Sequence, residues 1–151
     1  MLDGTIQAPF KYALYALFAM AWCSGMSFFV LKTWFVLDGE FGPMRHPWQF
    51  SVLQIHAAAA FAMMLGFGFL LGAHVQYTWK LQRARIPGMV LVTLLSMLMI
   101  SAYLLYYIVH DDFREILEYL HLALGFFLPV ALIAHVWKRK SKHEKREINE
   151  C

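Results

Sequence analysis

Four long stretches without a charged side chain constrain the fold of this chain more than any other feature. They cover residues 12–31, 46–79, 86–110 and 119–137. A helix needs about 20 apolar residues to cross roughly 30 Å of hydrocarbon, where its backbone groups must bond to one another because water is absent. The stretches therefore predict four membrane-spanning helices, at about residues 12–33, 51–79, 87–109 and 115–137.

The composition agrees with this prediction. Charged residues make up only 15% of the chain and hydrophobic residues 60%, whereas charged residues approach about 25% in soluble domains. No segment is long enough to link a second domain, so we expect one all-α membrane domain over residues 1–151, folded as a four-helix bundle. The first stretch lacks a basic segment before it and is interpreted as a retained span rather than a cleaved signal.

Basic residues are distributed unevenly between the two predicted sides of the membrane. Three lie on one side: Lys32, Arg45 and Arg114. Ten lie on the other: Lys11, Lys80, Arg83, Arg85, Lys138, Arg139, Lys140, Lys142, Lys145 and Arg146. Because cytoplasmic loops carry the excess of Lys and Arg, we expect both termini in the cytoplasm and the protein in the inner (plasma) membrane. The basic tail, residues 138–151, is expected to contact membrane lipid rather than nucleic acid.

Four histidines lie inside the second and fourth stretches, where an ionisable side chain is costly and marks a candidate functional site. Eighteen residues separate His56 from His74, and fourteen separate His121 from His135. At 3.6 residues per turn these spacings are five turns and nearly four turns, about 27 Å and about 21 Å along the axis. Each pair is therefore expected on one face of its helix.

The second and fourth helices are predicted to run in the same direction, so His56 should lie near His121 at the outer surface and His74 near His135 at the cytoplasmic surface. Haem iron takes two axial ligands on opposite sides of a flat ring, and two facing helices can supply one each. Helix tilt can absorb the difference in axial spacing. Because no C-x-x-C-H motif is present, the sequence predicts two haems b held without a covalent link.

Residues near these histidines have chemistry that suits a haem site. Ala60 and Gly125, each four residues after a histidine, are small enough to let a porphyrin edge approach the backbone, or are ordinary packing residues. Arg114 and Lys138 are candidate partners of the haem propionates, or interface charges. Glu118 is a candidate proton acceptor for a quinol, or an acid that favours a helix start.

A pair of glycines in the second span and two histidines just outside the predicted spans carry further expectations. Gly68 and Gly72 form a G-x-x-x-G pair, expected to pack closely against the first or third span. His46 and His110 are expected to be loop or interface residues at the outer surface, where a further metal or haem contact is conceivable.

Two other interpretations of the four histidines stay open at this point. Each imidazole can bond to a backbone carbonyl of a neighbouring helix and act only as a cross-link. Copper or zinc is a weaker alternative, because the two pairs are expected at opposite depths and no Cys or Asp completes a tetrahedral set.

The chain resembles the integral membrane b-type cytochromes. The resemblance rests on four spans with the histidines of the second and fourth, His56, His74, His121 and His135, as in the haem-bearing half of the cytochrome b of quinol–cytochrome c reductases. The chain is also similar to small four-helix bacterial di-haem cytochromes b, although its first span contains no histidine. The spacing in its second span is longer than in the reductase family.

The resemblance implies electron transfer across the membrane through two haems, between quinone and a partner redox subunit or cytochrome. The short loops leave no room for a catalytic head, so we expect an electron-transfer subunit of an oxidoreductase complex. One alternative is a stand-alone oxidoreductase acting on quinol or superoxide. Another is a haem-free membrane anchor or assembly subunit.

Overall fold

Helices account for most of the chain. The computed structural model describes residues 6–80 and 85–149, with the side chains of residues 6–79 and 85–137. Within this part of the chain, four helical segments are long and apolar enough to cross a membrane: Ala8–Trp34, Trp48–Trp79, Arg85–Tyr107 and Asp111–Trp137. The prediction of a helical chain with four such segments is confirmed. The bundle arrangement and the side on which the termini lie stay predictions.

The elements follow one another along the chain as α1 Ala8–Trp34, β1 Leu37–Gly39, β2 Gly42–Met44, α2 Trp48–Leu70, a π-helical turn Leu71–Val75, α3 Gln76–Lys80, α4 Arg85–Tyr107 and α5 Asp111–Asn149. Pro9 and Pro87 lie in the first turns of α1 and α4. A proline is tolerated there because its missing N–H has no helical partner to lose. Asp111 and Asp112 begin α5, where acids favour the positive end of the helix.

The second apolar segment is not a regular α-helix throughout. Its backbone is α-helical to Leu70, π-helical over Leu71–Val75 and α-helical again over Gln76–Lys80. A π-turn closes i→i+5 hydrogen bonds and so contains one residue more than an α-turn. The count of five whole turns between His56 and His74 assumed an uninterrupted α-helix, and the structure does not have one.

The loop between α1 and α2 contains a small β-hairpin. Strands β1 and β2 pair antiparallel, with Leu37 opposite Met44 and Gly39 opposite Gly42. Gly42 has a φ of 112°, which a residue with a Cβ rarely adopts. The hairpin tip carries the fully exposed ring of Phe41.

The chain divides into two compact units, one up to His74 and one from Val75. In the first unit α1 packs against α2. The rings of Phe10 and Phe69 meet edge to face at 4.8 Å, and Ala59 and Phe67 are buried. In the second unit α4 packs against α5, where Ser101 and Leu128 are buried.

Helix α5 continues past the expected end of the fourth span. The sequence predicted a span to residue 137 followed by a basic tail, and the backbone stays helical to Asn149. The Lys and Arg residues of the tail are good helix formers, which accounts for the continuation. Within the helix, Pro129 has no N–H, so the Gly125 carbonyl lacks its usual helical donor.

Candidate histidine sites

His56 lies on α2 and its ring rests against α1. Its Nδ1 atom donates to the Ala21 carbonyl oxygen at 2.8 Å, and the Ser24 hydroxyl lies 3.4 Å from the same nitrogen. A Cβ atom built on Gly25 would come within 3.0 Å of the His56 Cε1 atom. The imidazole therefore occupies a space that exists because residue 25 has no side chain.

His121 lies on α5 and bonds to a side chain of α4. Its Nδ1 atom is 2.8 Å from the Ser101 hydroxyl, which lies 3.0 Å from the Leu98 carbonyl. The hydroxyl has one proton, so it accepts from Nδ1 when it donates to Leu98, and it donates to Nδ1 when the histidine carries its proton on Nε2. Ser101 is only 2% exposed, so water does not compete for this bond.

The bond to the Ala21 carbonyl determines which ring nitrogen of a neutral His56 carries the lone pair. A carbonyl only accepts, so the proton lies on Nδ1 and the lone pair on Nε2. A histidine that binds a metal donates its other ring N–H to a carbonyl, carboxylate or water in most known sites. His56 is thus held in the tautomer that a metal ligand requires, and Ser101 is placed to accept from His121 when His121 adopts the same tautomer.

His135 contacts the same neighbouring helix as His121. A Cβ atom built on Gly88 of α4 would lie 3.6 Å from the His135 Cε1 atom. Since α4 and α5 are antiparallel, Ser101 faces His121 and Gly88 faces His135, about 20 Å apart along α4. Both histidines of α5 are half-buried.

His74 is in a different backbone setting from the other three. It is half-buried and lies within the π-helical turn Leu71–Val75. It is five residues farther along the span than Phe69, which contacts Phe10 near the start of α1. The π-turn rotates His74 away from the direction that an unbroken α-helix would give it, and π-turns occur often at functional sites.

The expected pairs join histidines of different units. His56 and His74 belong to the first unit, and His121 and His135 to the second. The pairing of His56 with His121 and of His74 with His135 therefore stays a prediction.

Among the accessory residues, Arg114 and Glu118 contact each other. Arg114 Nε is 3.6 Å from Glu118 Oε1, with side chains 48% and 35% exposed, so the pair contributes little to stability. A Cβ atom on Gly125 would meet nothing within 4 Å among the described residues, and Ala60 is exposed. The side chain of Lys138 lies outside the described residues.

The expectation that Gly68 and Gly72 pack closely against the first span is wrong, and their packing against the third span stays a prediction. Both are exposed, and a Cβ atom at either would meet nothing within 4 Å in the part of the chain that the structure describes. The close approach between α1 and α2 occurs at Gly66 instead, where a Cβ atom would lie 2.6 Å from the Leu14 Cδ2 atom. The helix is apolar on all sides, so its sequence does not show which glycine faces a neighbour.

His46 and His110 have local roles. The Trp48 N–H donates to His46 Nδ1 at 3.2 Å, and the Gln49 N–H donates to the His46 carbonyl at 3.0 Å. His46 thus bonds to N–H groups that the first turn of α2 leaves unpaired. His110 is exposed, and its carbonyl accepts from the Arg114 N–H at the start of α5. Both are loop residues, as expected.

No group of three or more His, Cys, Asp or Glu side chains that could hold a metal ion occurs in the described residues. A tetrahedral zinc or copper centre takes three or four protein ligands, whereas haem iron takes two axial ones.

Sequence reasoning missed the residues that contact the histidines: Ala21, Ser24, Gly25, Gly88 and Ser101. It also missed Trp22, whose Nε1 atom is buried and has no hydrogen-bond partner among the described residues. Trp22 follows Ala21, so it lies at the level of α1 where His56 is bound. An unpaired buried N–H is costly, and an acceptor oxygen on a bound group would satisfy it.

No model of a known protein family matches the chain. No curated protein sequence is significantly similar to it, and neither is any solved structure. The functional argument therefore rests on the residues and their geometry.

Proposed function

We propose that the protein is a transmembrane electron carrier that binds two haems b without a covalent link. His56 and His121 are the proposed axial ligands of the outer haem, and His74 and His135 those of the inner haem. Four helices long and apolar enough to cross a membrane support this proposal, as do four half-buried histidines within them.

The observation that carries the proposal is the Nδ1 hydrogen bond of His56 and of His121. In both, a partner on a neighbouring helix lies at hydrogen-bond distance from Nδ1, as is usual for histidines that bind a metal through Nε2. The Ala21 carbonyl requires the proton on Nδ1 of His56, and Ser101 can accept the same proton from His121. Gly125, which has no Cβ atom, is the proposed place where a porphyrin edge approaches the backbone.

The haem iron would supply one-electron transfer, and the chain's own residues would hold and surround it. The apolar helices exclude water, which strengthens every charge interaction inside. Arg114 and Lys138 are the proposed partners of the propionates, and Glu118 is the proposed proton acceptor for quinol at the outer surface.

The proposed partners are quinone and another redox subunit or cytochrome, with the protein in the inner (plasma) membrane of the cell. The described part of the chain has short segments between its long helices. These segments are too short for a catalytic head, and the proposed role of the protein is that of the electron-transfer subunit of an oxidoreductase complex.

A second candidate function is a haem-free membrane anchor or assembly subunit. The bonds of His56 to the Ala21 carbonyl and of His121 to Ser101 each join two helices, which is what a cross-linking histidine does. The two functions differ in one respect: a carrier uses Nε2 of each histidine to bind iron, and an anchor does not.

The test is haem content by the pyridine-haemochrome method on the purified wild type and four single variants, H56A, H74A, H121A and H135A. We expect two haems per chain in the wild type and one in each variant. H56A and H121A should lose the same spectroscopic component, and H74A and H135A the other. H110A, which changes an exposed histidine outside the helices, is the control and should keep both haems.

Each contrary result has a distinct meaning. Absence of a Soret band after haem-replete expression would eliminate the carrier and leave the anchor. Loss of the outer component in H135A or H74A would overturn the assigned pairing.

A further inference from the structure

His56 and His121 are each held through Nδ1, by chemically different partners. His56 bonds to a backbone carbonyl, that of Ala21, which no substitution can remove. His121 bonds to a side chain, the hydroxyl of Ser101. Only the second contact depends on the identity of one residue.

The Ser101 hydroxyl connects His121 to the backbone of α4. It lies 2.8 Å from Nδ1 and 3.0 Å from the Leu98 carbonyl, so a hydroxyl that donates to Leu98 accepts from Nδ1. In a region of low dielectric constant, such a chain of hydrogen bonds polarises each of its members. Donation to Leu98 therefore makes the hydroxyl a better acceptor for the histidine.

We propose that Ser101 is a positioning residue that fixes the Nδ1-protonated tautomer of His121 and increases the electron donation of its Nε2 atom to iron. This inference rests on the proposed function, because it assigns Ser101 to the outer haem. An acceptor on the far side of an imidazole makes the ring a more basic ligand. A more basic ligand stabilises ferric over ferrous iron and lowers the reduction potential.

The inference predicts a specific effect of S101A. Loss of such a partner lowers metal affinity about 10-fold to 100-fold. If the ferric form loses tenfold more affinity than the ferrous form, the potential of the outer haem rises by about 59 mV. The potential of the inner haem should not change.

The chain offers a conservative variant and a matched control. S101T keeps the hydroxyl and should restore the wild-type potential. Ser24 also lies near a histidine Nδ1, but at 3.4 Å, and the Ala21 carbonyl at 2.8 Å already accepts from that nitrogen. S24A should therefore change haem affinity less than about twofold, since the bond to Ala21 persists.

The experiment is a redox titration of the wild type, S101A, S101T and S24A in nanodiscs, followed by the spectrum of each haem. In parallel, ¹⁵N NMR of histidine in the haem-free protein reports the tautomer of His121 directly. We expect S101A alone to raise one potential and to lose the Nδ1-protonated signal of His121.

The possible failures are distinguishable. A wild type without haem would reject the proposed function and this inference together, while the NMR signal still tests the hydrogen bond. A wild type with two haems whose potentials and tautomer are the same in S101A would overturn the role of Ser101 alone.

Discussion

At the residue scale, two imidazole rings lie against glycines of a neighbouring helix. Gly25 makes room for His56 and Gly88 lies beside His135, but the clearances differ. A Cβ atom would be 3.0 Å from the ring at Gly25 and 3.6 Å at Gly88. The first distance requires the ring to move, and the second is ordinary van der Waals contact.

This difference predicts opposite effects of one substitution at the two sites. G25A should displace His56, weaken its bond to Ala21 and destabilise the first unit by about 1–3 kcal/mol, the usual cost of overpacking. G88A should be neutral or stabilising by up to about 1 kcal/mol, because alanine favours a helix over glycine. Thermal unfolding in nanodiscs measures both. Equal changes in the unfolding of G25A and G88A would contradict the inference that the closer contact, at Gly25, is the more sensitive one.

At the element scale, the π-turn Leu71–Val75 is the feature with the largest consequence. It contains one residue more than an α-turn and begins two residues after Phe69, which contacts Phe10 of α1. Nothing in its residues, which include Gly72 and His74, distinguishes it in sequence from the helix around it.

A single deletion tests whether the extra residue is tolerated. Deleting Ala73 should convert the π-turn to an α-turn and leave the phase of α3 unchanged, so we expect a cost within about 1 kcal/mol. Deleting Ala62 from α2 should rotate every later residue by about 100°. That rotation takes the buried Phe67 from its site, at a cost of about 3 kcal/mol or more.

Denaturant or thermal unfolding gives these costs, and the haem content of the Ala73 deletion shows whether His74 needs the π geometry. We expect the inner haem to be lost and the outer haem to be kept. Retention of both haems would mean that the π-turn has no part in ligation.

At the scale of the whole molecule, the charge distribution sets the expected topology. Ten basic residues on one predicted side against three on the other favour cytoplasmic termini. The hairpin with the fully exposed Phe41 lies between α1 and α2. Cytoplasmic termini would therefore place it on the outer side.

Cysteine labelling checks this orientation. In a C23S background, Cys151 should be protected from a membrane-impermeant maleimide in intact cells and labelled after lysis. In C23S/C151S/F41C, the introduced cysteine should be labelled in intact cells. The reverse pattern would invert the topology and exchange the outer and inner haems.

The sequence by itself determined the number of long apolar helices and their limits to within a few residues, because charge and hydrophobicity act locally along the chain. It also identified the four histidines, since an ionisable group among apolar residues is conspicuous. Only the tertiary structure decided that Gly66 rather than Gly68 or Gly72 lies in the contact of α1 and α2, and that Ser101 and Gly25 face imidazoles. Helices that are apolar on every side have no stripe to show which face packs, so that choice depends on how neighbouring side chains fit together.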